Sequence, residues 1–260
     1  MSSYNLKFIQ SRNRLEVYRY SIPQTLGESN NNAGRKGKSD KPKKTEKNRR
    51  EVLYKARNNI IRLANCNPDL CTFITLTYAN KMQDIKQSKA DLANSIKLLR
   101  KFWPDIKYLY VLEFQRRGAI HYHMLCNIPI TIKTARNGKY KPEEQKELES
   151  YFHEVFWEHG WVDVRNLISE GNTNVGKYVS SYLVEDLLKL DLQGGRCYGY
   201  SRNLVKPTIS TCSQICSLED VIKEFYPWYD IKYISSYNMA HMSAFGPVNG
   251  VVNYMDMYER

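Results

Sequence analysis

A chain of 260 residues with 42% hydrophobic and 25% charged residues has the make-up of an ordinary globular protein able to bury a full core. Its net charge of +12 and pI near 9.3 are less ordinary, and they favour a polyanionic partner, nucleic acid first and anionic membrane second. No window reaches 18 apolar residues and the N-terminal MSSYNLKFIQSRNR has no apolar core, which argues against a transmembrane helix and against a signal peptide.

Residues 4–9 and 15–21 alternate around QSRNR and predict a hairpin. Residues 27–50 are a polar run, with nine Lys/Arg against two Asp/Glu over 34–50. This predicts a basic loop that touches phosphate, with a plain solvated linker as the structural alternative. Gly34 to Ser39 imitates a phosphate loop, but Asn32 stands where that pattern needs a glycine, and no strand precedes it. Helical spacing over 46–65 puts Val52, Ala56, Ile60 and Leu63 inward. A strand follows at 71–78. A helix at 84–102 then carries Leu92, Ile96, Leu99 and Phe102 on one stripe, with Pro104 just beyond. Strands at 106–115 and 119–128 flank a turn. Pro142 opens a helix with Leu148, Tyr151/Phe152 and Val155/Phe156 inward, closed by Gly160. A strand at 161–168 and a helix at 173–190 complete the series.

From 71 to 168 the order is β-α-β-β-α-β. This is an α+β, ferredoxin-like (split βαβ) pattern: an antiparallel sheet with helices on one face and the other face open. Three segments result: 1–50 with the hairpin and basic loop, 51–206 with this domain, and 207–260 as an extension with no assigned role. The six cysteines lack CxxC spacing and are read as packed, reduced thiols of a cytosolic protein.

The most informative stretch is RGAIHYHM, residues 117–124. On a strand His121 and His123 face the same side, with Cα atoms about 6.5–7 Å apart. If Arg116-Arg117-Gly118 is a three-residue loop with Gly118 left-handed, residue 113 pairs with 121 and 111 with 123. Glu113 then joins the histidines, with Gln115 just above. A two-residue turn would send Glu113 to the other face. Two imidazoles and a carboxylate or amide suit a divalent ion: Mn²⁺ or Mg²⁺, while Zn²⁺ or Co²⁺ would also bind. The structural alternative is a pair of satisfied or stacked histidines. Tyr178 and Tyr182 lie one helical turn apart. They are either an aromatic stripe or a nucleophile with a second phenol beside it. Since about one phenol in a thousand is ionised at pH 7, Lys177 is the expected aid to ionisation.

Phe73-Ile-Thr75-Leu-Thr77-Tyr78, Glu113-Phe-Gln115-Arg-Arg117-Gly118-Ala-Ile-His121-Tyr-His123 and Gly176-Lys177-Tyr178-Val-Ser-Ser-Tyr182-Leu occur in this order. Together they resemble the three motifs of the HUH endonucleases, specifically the rolling-circle replication initiators (Rep proteins) of phages and plasmids. The helix context from Lys55 to Asp69 and the segment from Cys197 to Pro207 resemble the same proteins. The resemblance covers roughly residues 45–207 and rests most on the middle motif. It implies the fold above, a divalent metal on His121 and His123, Glu113 as third ligand with Gln115 as alternate, and Tyr178 as nucleophile. Single-tyrosine relatives carry a lysine three residues after the tyrosine, where this chain has Ser181. Tyr182 follows instead, as in two-tyrosine phage-type initiators, so either phenol attacks first or Tyr182 is structural.

The implied activity is nicking of single-stranded or locally melted origin DNA. It leaves a 5′-phosphotyrosine and a free 3′-hydroxyl primer, in the cytoplasm of a bacterial host. The absence of a helicase motif implies a host helicase alongside the polymerase. The residues expected to contact DNA are Thr75, Thr77, Arg116, Arg117, Lys36, Lys43, Lys44, Arg49 and Arg202. Rival readings are an HUH transposase or mobilisation relaxase and, in a different class, a non-catalytic nucleic-acid binder of the RNA-recognition type. A basic membrane-surface protein would need an amphipathic basic helix, which this chain lacks.

Overall fold

The computed structural model describes residues 3–25, 46–115, 117–136, 138–171, 174–182, 196–214, 216–225, 227–243 and 246–260. Among these residues the elements run β1 (Ser3–Ser11), β2 (Arg14–Thr25), α1 (Glu46–Cys66), β3 (Thr72–Thr77), α2 (Ile85–Phe102), β4 (Tyr108–Phe114), β5 (Ile120–Cys126), α3 (Glu143–Phe156), β6 (Val162–Asn166), α4 (Val175–Ser180), β7 (Tyr198–Tyr200), β8 (Thr208–Cys212), α5 (Leu218–Phe225), β9 (Tyr229–Ser243) and β10 (Gly246–Glu259). The fold is α+β, with two five-stranded antiparallel sheets. They lie in two compact units: Lys44–Val205, and the first hairpin together with Lys206–Arg260. No helix among the described residues is long and apolar enough to cross a membrane.

In the Lys44–Val205 unit the sheet order is β6-β3-β5-β4-β7. Both β3 and β4 are antiparallel to β5, which sits between them. The even-numbered residues of β3 and β5 face α2 and α3. Tyr122, for example, meets Ser88 of α2 hydroxyl to hydroxyl at 3.0 Å, and the Tyr78 ring packs on Trp157 at the end of α3. α2 begins at Asp84, whose side chain accepts hydrogen bonds from the amides of Lys86 and Gln87, satisfying donors that a helix start leaves unpaired. The outer edge of β6 is covered by α3: Gln145 donates to the Val164 carbonyl at 3.0 Å and Glu149 accepts from the Val164 amide at 3.1 Å.

Several expectations are corrected. The face opposite α2 and α3 is not left open. α1 reaches it, with Asn59 donating to the Tyr198 hydroxyl at 2.8 Å, and so does α4, whose Tyr178 packs edge-on against Phe73. α1 and α4 approach so closely that a Cβ on Gly176 would lie 2.9 Å from that of Ala64. The inward seam of α1 begins at Leu53, and Val52 is 51% exposed because it lies about 100° around the helix from that seam. Phe102, at the end of α2, is 53% exposed and meets Phe156 edge-on. On α3, Tyr151 is exposed while Phe152 and Phe156 are buried, since the stripe runs through Gln145, Phe152 and Phe156. Gly160 has no left-handed backbone. It is required because a Cβ there would meet the Thr77 carbonyl at 2.2 Å. The helix expected over 173–190 is described only as α4, and residues 183–190 lie outside the described residues.

The second sheet has the order β8-β1-β2-β10-β9, so the first hairpin is extended by strands from the other end of the chain. One face buries Leu6, Leu15, Val17, Met255 and Met257 together with Val221 of α5. The other face bears Tyr18, Tyr20 and Tyr254.

Candidate metal centre and tyrosine pair

Gly118 has φ +81°, its amide donates to the Gln115 carbonyl, and the Gln115 amide donates to the Ala119 carbonyl at 2.9 Å. From this turn the register follows: Glu113 pairs with His121 and Val111 with His123 across β4 and β5. On the other side of β5, Thr77 pairs with His121 and Thr75 with His123. Side chains at these positions share one face. One ligand atom each from Glu113, His121 and His123 come within 4.8 Å of one another.

The hydrogen bonds show which atoms are available. Glu113 Oε2 lies 2.5 Å from His123 Nε2, and Thr75 Oγ1 lies 3.3 Å from Nδ1 on the far side of the same ring. Thr75 is thus placed to orient His123 from outside the cluster, as partners of metal-binding histidines commonly do. Arg117 Nε donates to Gln115 Oε1 at 2.8 Å, which turns the amide nitrogen of Gln115 to His121 Nε2, also at 2.8 Å. His121 Nε2 therefore accepts, and its lone pair faces the cluster. Burial, then the neighbouring His123, pushes the His121 pKa down to about 4, so the ring is neutral at pH 7. Gln115 presents nitrogen rather than oxygen, which leaves Glu113 as the acidic ligand. Two imidazoles and a carboxylate fit a divalent ion of the Mn²⁺ or Mg²⁺ kind, with positions left for other oxygens.

The tyrosines lie against this cluster. The ring of Tyr182 stacks on His123 with centroids 3.7 Å apart, and its hydroxyl donates to the Tyr178 oxygen at 2.8 Å. Phe73 stacks on His123 and meets Tyr178 edge-on. Burial, then the hydrogen bond to Tyr178, pushes the Tyr182 pKa up, so this phenol keeps its proton and acts as a donor. α4 is placed by Asn174, whose side chain accepts from the Lys177 amide at 2.9 Å, and by the close packing of Gly176 on α1.

Lys177, expected to ease ionisation of the phenol, is exposed; the cation that meets Tyr178 is Arg165 of β6, which donates to its oxygen at 2.7 Å. Arg165 was missed because its approach depends on the pairing of β6 with β3, which no local pattern reveals; the available signal was a charged residue at mid-strand, opposite in parity to Val162 and Val164. Thr77 shares the face of the histidines. Arg117 donates to the carbonyls of Tyr78 and Ala79 as well as to Gln115, tying the turn to the end of β3. Arg202 is exposed after β7, at the opposite end of β4 from Glu113. Lys36, Lys43, Lys44 and Arg116 lie outside the described residues, as does the side chain of Arg49.

Residues 71–187, just under half of the chain, match the family model of the replication-associated protein ORF2. This stretch holds β3 to β6, the metal cluster and both tyrosines, and the match supports a replication initiator. No curated protein and no solved structure matches the chain.

Proposed function

We propose that this protein is a rolling-circle replication initiator of the HUH endonuclease kind, which nicks single-stranded origin DNA through Tyr178. The observation that carries the reading is the convergence of Glu113, His121 and His123 beneath a phenol, with Tyr182 stacked on His123 and hydrogen-bonded to Tyr178. The strand order β6-β3-β5-β4 supports it, since it is that of a ferredoxin-like sheet. So does the match to replication-associated proteins over these same residues.

Glu113, His121 and His123 hold the divalent ion, and Thr75 keeps the His123 ring turned towards it. When bound, Mn²⁺ or Mg²⁺ supplies Lewis-acid polarisation of the scissile phosphate. The Tyr178 oxygen forms a bond to phosphorus while the bond from phosphorus to the 3′ oxygen breaks. The phenolic proton passes to solvent, and the departing 3′ oxygen takes up a proton from solvent. The products are a 5′-phosphotyrosine and a 3′-hydroxyl that primes synthesis. Tyr182 first acts as hydrogen-bond donor to Tyr178, and serves as the second nucleophile once Tyr178 is occupied. The charge of +12 holds the DNA strand electrostatically. A host helicase and polymerase complete the replication cycle in the bacterial cytoplasm.

The test is incubation with single-stranded origin DNA with and without Mn²⁺, followed by a denaturing gel. A Mn²⁺-dependent covalent adduct that Tyr178→Phe abolishes is the expected result. Metal-independent binding with no adduct would instead identify a non-catalytic nucleic-acid binder.

A further inference from the structure

Arg165 has a setting unlike that of any charged residue expected from the motifs. It is 6% exposed. Its Nη1 donates to the Tyr178 oxygen at 2.7 Å. Its Nε lies 3.1 Å from both carboxylate oxygens of Glu170, and Nη2 donates to the same carboxylate. The guanidinium carbon sits 5.7 Å from the Phe73 ring centroid and 5.6 Å from that of Tyr178, so the cation is held against two aromatic rings. Glu170 is fixed in turn by the Thr134 hydroxyl, which donates to it at 2.8 Å. An arginine cannot lose its proton here, and its flat fork matches one carboxylate while leaving a donor for the phenol.

The two phenols are therefore not equivalent. The Tyr178 oxygen receives hydrogen bonds from Arg165 and from Tyr182, whereas the Tyr182 hydroxyl donates. Two donors, one of them a full cation, stabilise an oxygen that is gaining negative charge. Tyr182 lacks that cation. Resting on the nicking reading above, we infer that Arg165, clamped by Glu170, is the positioning residue that selects Tyr178 rather than Tyr182 as first nucleophile, holding its oxygen and offsetting the charge that develops as it attacks.

The test compares wild type with Arg165→Gln and Arg165→Lys in the full chain, with Mn²⁺ and single-stranded origin DNA. Arg165→Gln is expected to slow adduct formation about 10–100-fold near neutral pH, with the deficit shrinking as pH rises. Mn²⁺ affinity should remain unchanged. Peptide mapping should find part of the adduct moved from Tyr178 to Tyr182. Arg165→Lys should recover part of the rate, because it restores a cation without the fork. A wild-type pH profile in Arg165→Gln with all adduct still on Tyr178 would overturn the inference. So would a pH-independent loss accompanied by lost Mn²⁺ binding, which marks a purely structural role. If wild type forms no adduct at all, the nicking reading fails first. The inference is then still decided by NMR titration of ring-labelled Tyr178: an unshifted phenol in Arg165→Gln rejects it, and an upward shift supports it.

Discussion

In the sheet β8-β1-β2-β10-β9 the Tyr254 hydroxyl donates to Glu16 at 3.0 Å and the Tyr18 hydroxyl to the same carboxylate at 3.4 Å. In the sheet β6-β3-β5-β4-β7 the Tyr178 oxygen instead accepts, from Arg165 and from Tyr182. Each site contains a buried arginine. Arg14, however, is matched by two carboxylates, Asp256 at 2.7 Å and Glu16 at 3.6 Å, whereas Arg165 is matched by Glu170 alone. The phenol beside Arg14 thus sits in a negative setting, and burial, then Glu16 and Asp256, push the Tyr254 pKa up. The same side chain is locked as a proton donor in one sheet and held as a hydrogen-bond acceptor in the other. The difference lies in one excess carboxylate brought by cross-strand pairing.

The largest expected effect breaks this comparison directly. Tyr178→Phe should abolish the covalent DNA adduct, a loss of at least about 10³-fold in rate on a denaturing gel. Tyr254→Phe should leave the adduct at the wild-type level. An adduct retained by Tyr178→Phe and lost in Tyr182→Phe would show that the cation does not mark the reacting phenol. Next in size is the metal. Glu113→Ala or His123→Ala should weaken Mn²⁺ binding about 100-fold or more, followed by EPR of the free ion, since each removes one of three donors. Glu16→Gln should leave Mn²⁺ binding unchanged, because Arg14 already occupies the carboxylate pair in that sheet.

How much of this was legible follows from the range of the interactions. Glu113, His121 and His123 belong to one hairpin, and a glycine at the turn together with period-two alternation sets their register from a dozen consecutive residues. Tyr178 and Tyr182 are likewise one helical turn apart. With 20 tyrosines in the chain, though, the pattern alone left open whether they were core or chemistry. What decides between these is Arg165, brought in by the pairing of β6 with β3 across some ninety residues, and Lys177 stood in for it only by being adjacent in sequence. The terminal sheet was not legible for the same reason carried further: β10 pairs with β2 at the other end of the chain, Val252 opposite Tyr20. Its strands read as scattered tyrosines until that partner is known. Val52, Phe102 and Tyr151 were each placed inward by a helical count that was one position off the true seam.

Smaller effects compare how the two sheets use glycine. A Cβ on Gly160 would press on backbone, 2.2 Å from the Thr77 carbonyl and 2.4 Å from the Ala79 amide nitrogen, at the end of the strand that carries Thr75 and Thr77. A Cβ on Gly250 of β10 would meet the tip of Ile22 at 2.7 Å, a flexible group that can turn aside. Gly160→Ala should therefore destabilise the protein by about 3 kcal/mol or more in chemical denaturation, as overpacking does where nothing can yield. Gly250→Ala should cost under about 1 kcal/mol, because loss of glycine freedom in a strand partly offsets the crowding.

The two hairpin turns give the smallest contrast. Gly118 takes φ +81° between β4 and β5, while Arg12 takes φ +60° between β1 and β2, where a side chain is strained. Gly118→Ala should cost about 1 kcal/mol. Because that turn sets Glu113 opposite His121, it should also lower Mn²⁺ affinity. Arg12→Gly relieves a left-handed residue whose penalty is about 1–2 kcal/mol but frees the unfolded chain by about 0.5–1 kcal/mol, so a net gain of some tenths of a kcal/mol to about 1 kcal/mol is expected in urea melts. Mn²⁺ binding should not change in that variant, since no residue of the Arg12 turn belongs to the metal cluster. A fall in Mn²⁺ affinity in Arg12→Gly, or none in Gly118→Ala, would mean that the register of the histidine hairpin is not what gathers the ligands.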